Sequence, residues 1–225
     1  MTYTLALPLA ALVLASGAAL AGDMPAPLDR ALTEAEARPD FRASYTMSFR
    51  WKGGPPVVTR YDAQADAWSL VSGDPDALPK EGRKKMAQVQ DDESRPGGLL
   101  YGDFREALDA VALREEADGV LTYDFIPPQA DADDVAEARG KVDAHVAVDE
   151  AAGIMSRYSV TALQPMKPMI GVKMDSFEYI QEFERLGEDG PAVLVRARSV
   201  QTGRKGFSKV DVAYEATFTD FVPLR

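Results

Sequence analysis

His145 is the only histidine in the chain, and Asp143 stands two residues before it. On a β-strand that spacing puts both side chains on one face, where a carboxylate can orient an imidazole acting as a general base. That face reads as the polar one, so a solvated strand histidine is the simpler reading. Asp131, Asp133, Asp134 and Glu137 offer the oxygen ligands that calcium takes. The run lacks the glycine and the closing bidentate glutamate of an EF-hand loop, and a solvated acidic loop accounts for it. Met166, Met169 and Met174 bring thioethers soft enough for Cu(I). Without cysteine or a nearby histidine they read as adaptable core filler or as a flexible apolar binding surface. Arg83-Lys84-Lys85, the one basic cluster, reads as a solvated helix face or, more sharply, as a contact for lipid head groups.

Composition removes most other chemistry. The 225 residues include 25 Lys plus Arg against 36 Asp plus Glu, a formal charge of −11. Binding to a phosphate backbone depends on cations that displace counterions, so this balance argues against nucleic acid as a partner. The absence of cysteine excludes disulfides, zinc–thiolate sites and thiol catalysis, and a single histidine excludes a multi-histidine metal centre. The Walker, GxGxxG, HExxH and GxSxG patterns are missing as well. The expectation is a protein that is not an enzyme and holds neither metal nor cofactor.

Leu5 to Ala21 carry no charge and end in Ala19-Leu20-Ala21 before Gly22, which reads as a secretory apolar region with a small-x-small cleavage site. Residues 1–21 are therefore expected to be a signal peptide, with an uncleaved anchor as the alternative, although Met1-Thr2-Tyr3-Thr4 lacks the usual basic residue. Residues 22–225 then form one exported, periplasmic domain, expected to be monomeric. No cysteine stands at the cleavage point to receive a lipid.

The elements that would position any site are mainly strands. Pro27 to Arg38 predicts an amphipathic helix, with Leu28, Ala31, Leu32 and Ala35 at helical spacing. From Phe41 to Trp51 every second residue is apolar (Phe41, Ala43, Tyr45, Met47, Phe49, Trp51) and the residues between are polar, which specifies a strand with one wet and one covered face. Val57 to Asp62 and Ala67 to Ser72 continue as strands. Lys80 to Gln90 predicts a short helix with Met86 and Val89 inward and Arg83, Lys84 and Lys85 exposed. Val111 to Glu116 and Val120 to Ile126 read as a hairpin around Ala117-Asp118-Gly119, with a longer helix through Arg114 as the rival. The last third reads as a meander, interrupted from Gln164 to Pro168, with a β-bulge near Asp175 or Ser176 where the apolar parity switches. About eight or nine strands joined by short turns predict a mainly β (α+β) fold. The expected form is a single curved antiparallel sheet or unclosed barrel, with an N-terminal helix and short lid helices.

An apolar leader, a leading helix, the long alternating strand Phe41 to Trp51, a helix interrupting the sheet and a closing meander together resemble the periplasmic lipoprotein carriers of the LolA/LolB-like superfamily. That resemblance, in element order only, implies an unclosed antiparallel barrel whose helices cover an apolar cavity for acyl chains. Physics reaches a similar idea from the strand itself, because three short helices must cover its apolar face and whatever stays uncovered is a groove. Each methylene buried there gains about 0.8 kcal/mol, so a groove needs no catalytic residue to hold a lipid. The expected groove lining is Phe41, Tyr45, Met47, Phe49 and Trp51, joined by Met166, Met169 and Met174. The expected function is non-catalytic binding of an amphiphile or lipid acyl chain, with transient contact to a membrane or an envelope protein. The alternative is a cell-envelope scaffold with a filled core and no small ligand.

Overall fold

A computed structural model describes residues 24–127, 140–169 and 171–224. The segment 1–21 and the acidic run 131–137 lie outside the described residues, as does the Met169 side chain. The chain folds as α1 (Ala26–Glu36), β1 (Ala43–Trp51), β2 (Val57–Asp62), β3 (Ala67–Ser72), α2 (Lys80–Ser94), β4 (Asp109–Ala117), β5 (Val120–Ile126), β6 (Val142–Asp149), β7 (Ile154–Ala162), β8 (Met166–Met169), β9 (Val172–Arg185), β10 (Ala192–Lys205) and β11 (Ser208–Pro223). Short 3₁₀ segments at Pro75–Ala77 and Gly102–Ala107 flank α2.

All eleven strands join one antiparallel, unclosed sheet in the order β3-β2-β1-β11-β10-β9-β7-β6-β5-β4, with β8 added on β9. The first and last long strands pair inside it, third and fourth from one edge, with Met47 opposite Phe218 and Phe49 opposite Ala216. The parity read from the sequence sets the two faces, since β1 buries Ala43, Tyr45, Met47, Phe49 and Trp51 and turns the residues between them outward. On the outer face charges alternate across strands, with Arg157, Glu182, Arg196 and Glu215 linked in turn at 3.4 Å. Such exposed pairs stabilise by only about 0–1 kcal/mol each, but they keep that face polar and oppose a one-residue slip.

Turn chemistry agrees with the sequence. Asp118 and Gly119 both take positive φ, as a two-residue hairpin turn requires, so residues 109–126 form a hairpin and not the rival helix. The expected bulge is present, because Thr202 pairs with Ser176 while Gly203 pairs with Met174, leaving Asp175 unmatched. Gly203 is needed there, since a Cβ would sit 2.1 Å from the Lys173 carbonyl oxygen. Three details differ from expectation. The described residues form eleven strands and not eight or nine, one of them Met166–Met169, which pairs with β9 across most of the expected interruption. The first strand starts at Ala43, leaving Phe41 in the approach to it, partly buried. Helix α2 runs one turn further than expected, to Ser94, and stops where Arg95 must be extended because Pro96 follows.

The helices cover the inner face unequally. α1 buries Leu28, Ala31, Leu32 and Ala35, approaching β6 and β7, and is tied down at three points. Arg185 grips Glu34 with two bonds of 2.9 and 3.0 Å while also donating to the carbonyls of Ala152 and Gly190, and Arg105 pairs with Asp29 and Glu36. α2 buries only Gly82, Met86 and Val89. Gly82 lies flat on the Trp51 ring, where an added Cβ would be 3.2 Å from ring carbons. The far end of α2 is held by Gln90 donating to Thr59 and by Tyr61 donating to the Ser94 carbonyl, each at 3.2 Å.

Candidate functional site

Beneath α2 the inner face changes from apolar to mixed. One row across the sheet runs Trp51, Tyr214, Ser199, Tyr179, and the next runs Phe49, Ala216, Ala197, Gln181, Tyr158. Consecutive rows on one face are about 7 Å apart, so three tyrosines surround Ser199 and Gln181 over a floor of small residues. Tyr158 and Tyr179 meet edge to face with ring centroids 6.3 Å apart. From above, α2 brings Lys85 and Glu93 over this patch. The Lys85 ammonium stands 4.9 Å from the centre of the Tyr214 ring, a cation–π contact, and donates to Gln88 at 3.2 Å.

Two polar atoms of this region, Glu93 Oε2 and Gln181 Oε1, are sealed from solvent without a hydrogen-bond partner, as is Tyr45 Oη two rows further along β1. More than nine in ten buried polar groups in native proteins are satisfied, and each orphan costs about 1–3 kcal/mol. Glu93 pays most. Burial, reinforced by neighbouring Asp92 and opposed by Arg95 and Lys85, pushes its carboxyl up to about 8, so it is largely protonated at neutral pH. Burial also pushes the Lys85 ammonium down and the phenols of Tyr45, Tyr158, Tyr179 and Tyr214 up, so the tyrosines stay neutral. The result is an aromatic floor carrying neutral polar tips. It can contact an apolar body with its rings and hydrogen-bond a polar end with Glu93 or Gln181.

The expected groove residues are divided by the fold. Tyr45, Met47 and Phe49 are 0% exposed and Trp51 is 8% exposed, so they wall the core and offer no open surface. Trp51 and Phe49 open the two rows of the patch, Phe49 stacking on Tyr214 with ring centroids 5.7 Å apart, while Tyr45 lies two rows further along β1 within the field of Glu93. Met166 and Met174 are buried opposite each other at the β8–β9 hairpin. Since β9 is the third strand from β1, about 14 Å away, the methionines do not line the same groove as the β1 row. Lys85, expected in water, is half-buried because the sheet side of α2 includes it. His145 lies half-buried on the outer face with its imidazole pushed down by burial. Arg114 stands 3.3 Å from Nδ1 and hydrogen-bonds the Asp143 carboxylate, which itself lies 3.8 Å from the imidazole, beyond hydrogen-bond reach.

No family model, no curated protein and no solved structure matches this chain. Its function therefore rests on what its own residues can do. Among the described residues no group of three His, Asp or Glu side chains is placed to hold a metal ion. The residues missed from sequence are Glu93, Gln181 and the hydroxyls of Tyr158, Tyr179 and Tyr214. A signal for Glu93 exists: Met86, Val89, Gln90 and Glu93 follow helical spacing, and no breaker stands before Pro96.

Proposed function

We propose that the protein is an exported, non-catalytic binder of an amphiphile, taken up on the inner face beneath α2, as the resemblance to LolA/LolB-like carriers also suggests. The observation that carries this reading is the orphaned, buried Glu93 Oε2, held over the inner face within the field of Tyr179 and Tyr214, with the orphaned Gln181 Oε1 on that same face between Tyr158 and Tyr179. An amphiphile supplies both halves of what is missing, a polar end for those atoms and an apolar body for the rings. α2 is the element that admits it. It meets the sheet through one glycine on Trp51, two apolar side chains, the Lys85–Tyr214 cation–π contact and two hydrogen bonds, with no ion pair among the described residues, whereas α1 is clamped by Arg105 and Arg185. Lifting α2 uncovers Trp51. Titration with fatty acids or lysophospholipids of increasing chain length should therefore shift Trp51 emission saturably, with affinity rising with length by less than the about 0.8 kcal/mol per methylene of full burial. Trp51→Phe should lose most of that signal, leaving Trp68. No saturable response at any length would sink the reading.

The complete burial of Tyr45, Met47 and Phe49 favours a second reading, an envelope scaffold whose core is filled. Native mass spectrometry of protein purified from its own envelope separates the two. A lipid mass that co-purifies and is lost in Gln181→Leu supports the binder, and a bare chain supports the scaffold.

A further inference from the structure

Phe207, at the tip of the β10–β11 hairpin, is exposed to 110% of its reference area, more than any other large apolar side chain among the described residues. A lone exposed ring is ordinary, but the surroundings of this one are not. The Gly206 amide donates to the Gly171 carbonyl at 2.7 Å, fastening the β8–β9 turn against the tip. Together residues 166–175 and 203–211 hold Lys167, Lys173, Arg204, Lys205 and Lys209 against only Asp175 and Asp211, in a chain whose net charge is −11. Asp211 draws in a further cation, pairing with Lys52 of the β1–β2 turn at 2.8 Å, and that pairing holds its carboxyl below the usual carboxylate range. The first turn of α2 sits at this same end, since Gly82 lies on Trp51 beside Lys52, and it adds Arg83 and Lys84, exposed cations with no place in the inner-face patch.

We propose that this end of the sheet docks on an anionic lipid surface, with Phe207 entering the interfacial layer and the surrounding lysines and arginines meeting phosphate head groups. An acidic body that is basic at one end is repelled by such a surface in every orientation except this one. The shape favours a lipid over a folded partner. A ring on a narrow tip, ringed by long flexible ammonium stems, lacks the broad packed area of a protein interface but suits a fluid layer into which an aromatic wedge sinks while cations stay at head-group level. No described helix is long and apolar enough to cross a membrane, so this is surface contact by a hairpin. It is independent of whether the inner face holds a ligand.

Flotation with vesicles of phosphatidylcholine alone, or of phosphatidylcholine and phosphatidylglycerol in equal parts, tests it. Wild-type and variant chains are prepared identically, so any contribution from the N-terminal segment cancels in the ratio. The chain should bind the anionic vesicles and be released by high salt. Phe207→Ser should weaken partitioning about tenfold. Reversing two cations in Arg204→Glu/Lys205→Glu should weaken it by more than about 100-fold, at about fivefold per charge. Phe207 is in the exposed turn and Arg204 and Lys205 are the exposed last residues of β10, so both variants should unfold within a few degrees of wild type. In a separate chain, Phe207→Trp should give an added emission that moves blue and becomes protected from acrylamide with anionic vesicles only. Equal binding to both vesicle types, binding indifferent to these variants, or an unshifted emission from Phe207→Trp would each overturn the proposal. So would Phe207-dependent self-association without vesicle binding, which would assign the tip to a second copy.

Discussion

Met47→Asp should unfold the domain or cost it at least about 4 kcal/mol, while Ser48→Asp, one residue along, should stay within about 0.5 kcal/mol of wild type. Met47 is 0% exposed and stands between Thr59 on β2 and Phe218 on β11, at the seam where the first and last long strands pair inside the sheet. A carboxylate there loses the packing of the thioether and gains a charge without a partner. Ser48 points to the other face, opposite Thr217 and Val58, where charged residues are already the rule. Against a typical total stability of about 5–15 kcal/mol, the first change takes a large share of the whole and the second does not register. Met47→Leu, which keeps the volume, should cost less than about 1.5 kcal/mol and shows whether charge or shape is responsible. Chemical denaturation of the three variants decides it. Equal losses for Met47→Asp and Ser48→Asp would mean that β1 is covered on both faces.

That contrast is legible in the amino-acid order alone, because strict alternation from Phe41 to Trp51 admits one register and one covered face. Where a single residue type fixes the local outcome, the sequence is equally direct: Asp118-Gly119 makes a hairpin, and the parity switch after Met174 makes a bulge. The patch beneath α2 is harder to read for two physical reasons. Tyrosine is both an apolar ring and a hydroxyl, and parity reports only the ring. It therefore places Tyr158, Tyr179 and Tyr214 on the inner face as core, and nothing in their spacing shows that their hydroxyls converge there with Gln181. Glu93 lies past the expected end of α2, since a charged Gln-Asp-Asp-Glu-Ser stretch looks solvated until the helix is carried to the residue before Arg95-Pro96. Only then does the spacing from Met86 turn the carboxyl towards the sheet. The cross-sheet distance between β1 and β8 is invisible for a different reason: strand order is a long-range property, and a meander read in chain order does not reveal that β11 inserts beside β1.

The protonation of Glu93 gives the patch a measurable signature. Its carboxyl, at 4.5 when unfolded, rises to about 8 in the folded chain because burial disfavours the anion, so between those values the folded state holds a proton that the unfolded state has released. Stability must then fall as pH rises through this window. A shift from 4.5 to about 8 corresponds to up to about 5 kcal/mol over that window. Other groups titrate in the same range, and His145, pushed down by burial, contributes with the opposite sign. The clean quantity is therefore the difference between wild type and Glu93→Gln, which keeps the shape and removes the titration. The variant should gain several kcal/mol on wild type, up to about 5, between about pH 5 and about pH 9. Asp92, Arg95 and Lys85 surround Glu93 in both proteins, and Tyr45, Tyr179 and Tyr214 stay neutral throughout, so none of them mimics the effect. Denaturant melts across that range check it, and a difference flat with pH would mean that Glu93 is ionised and solvated in the folded chain. Binding should follow the same proton. Below about pH 8 a neutral Glu93 can donate to the oxygen of an anionic head group beside Lys85, and above it the carboxylate repels that group. Fatty-acid affinity should therefore drop several-fold from about pH 7 to about pH 9 in wild type but hold steady in Glu93→Gln. An amphiphile with a cationic head should show the reverse order, so the two titrations together assign the charge of the end that the patch receives.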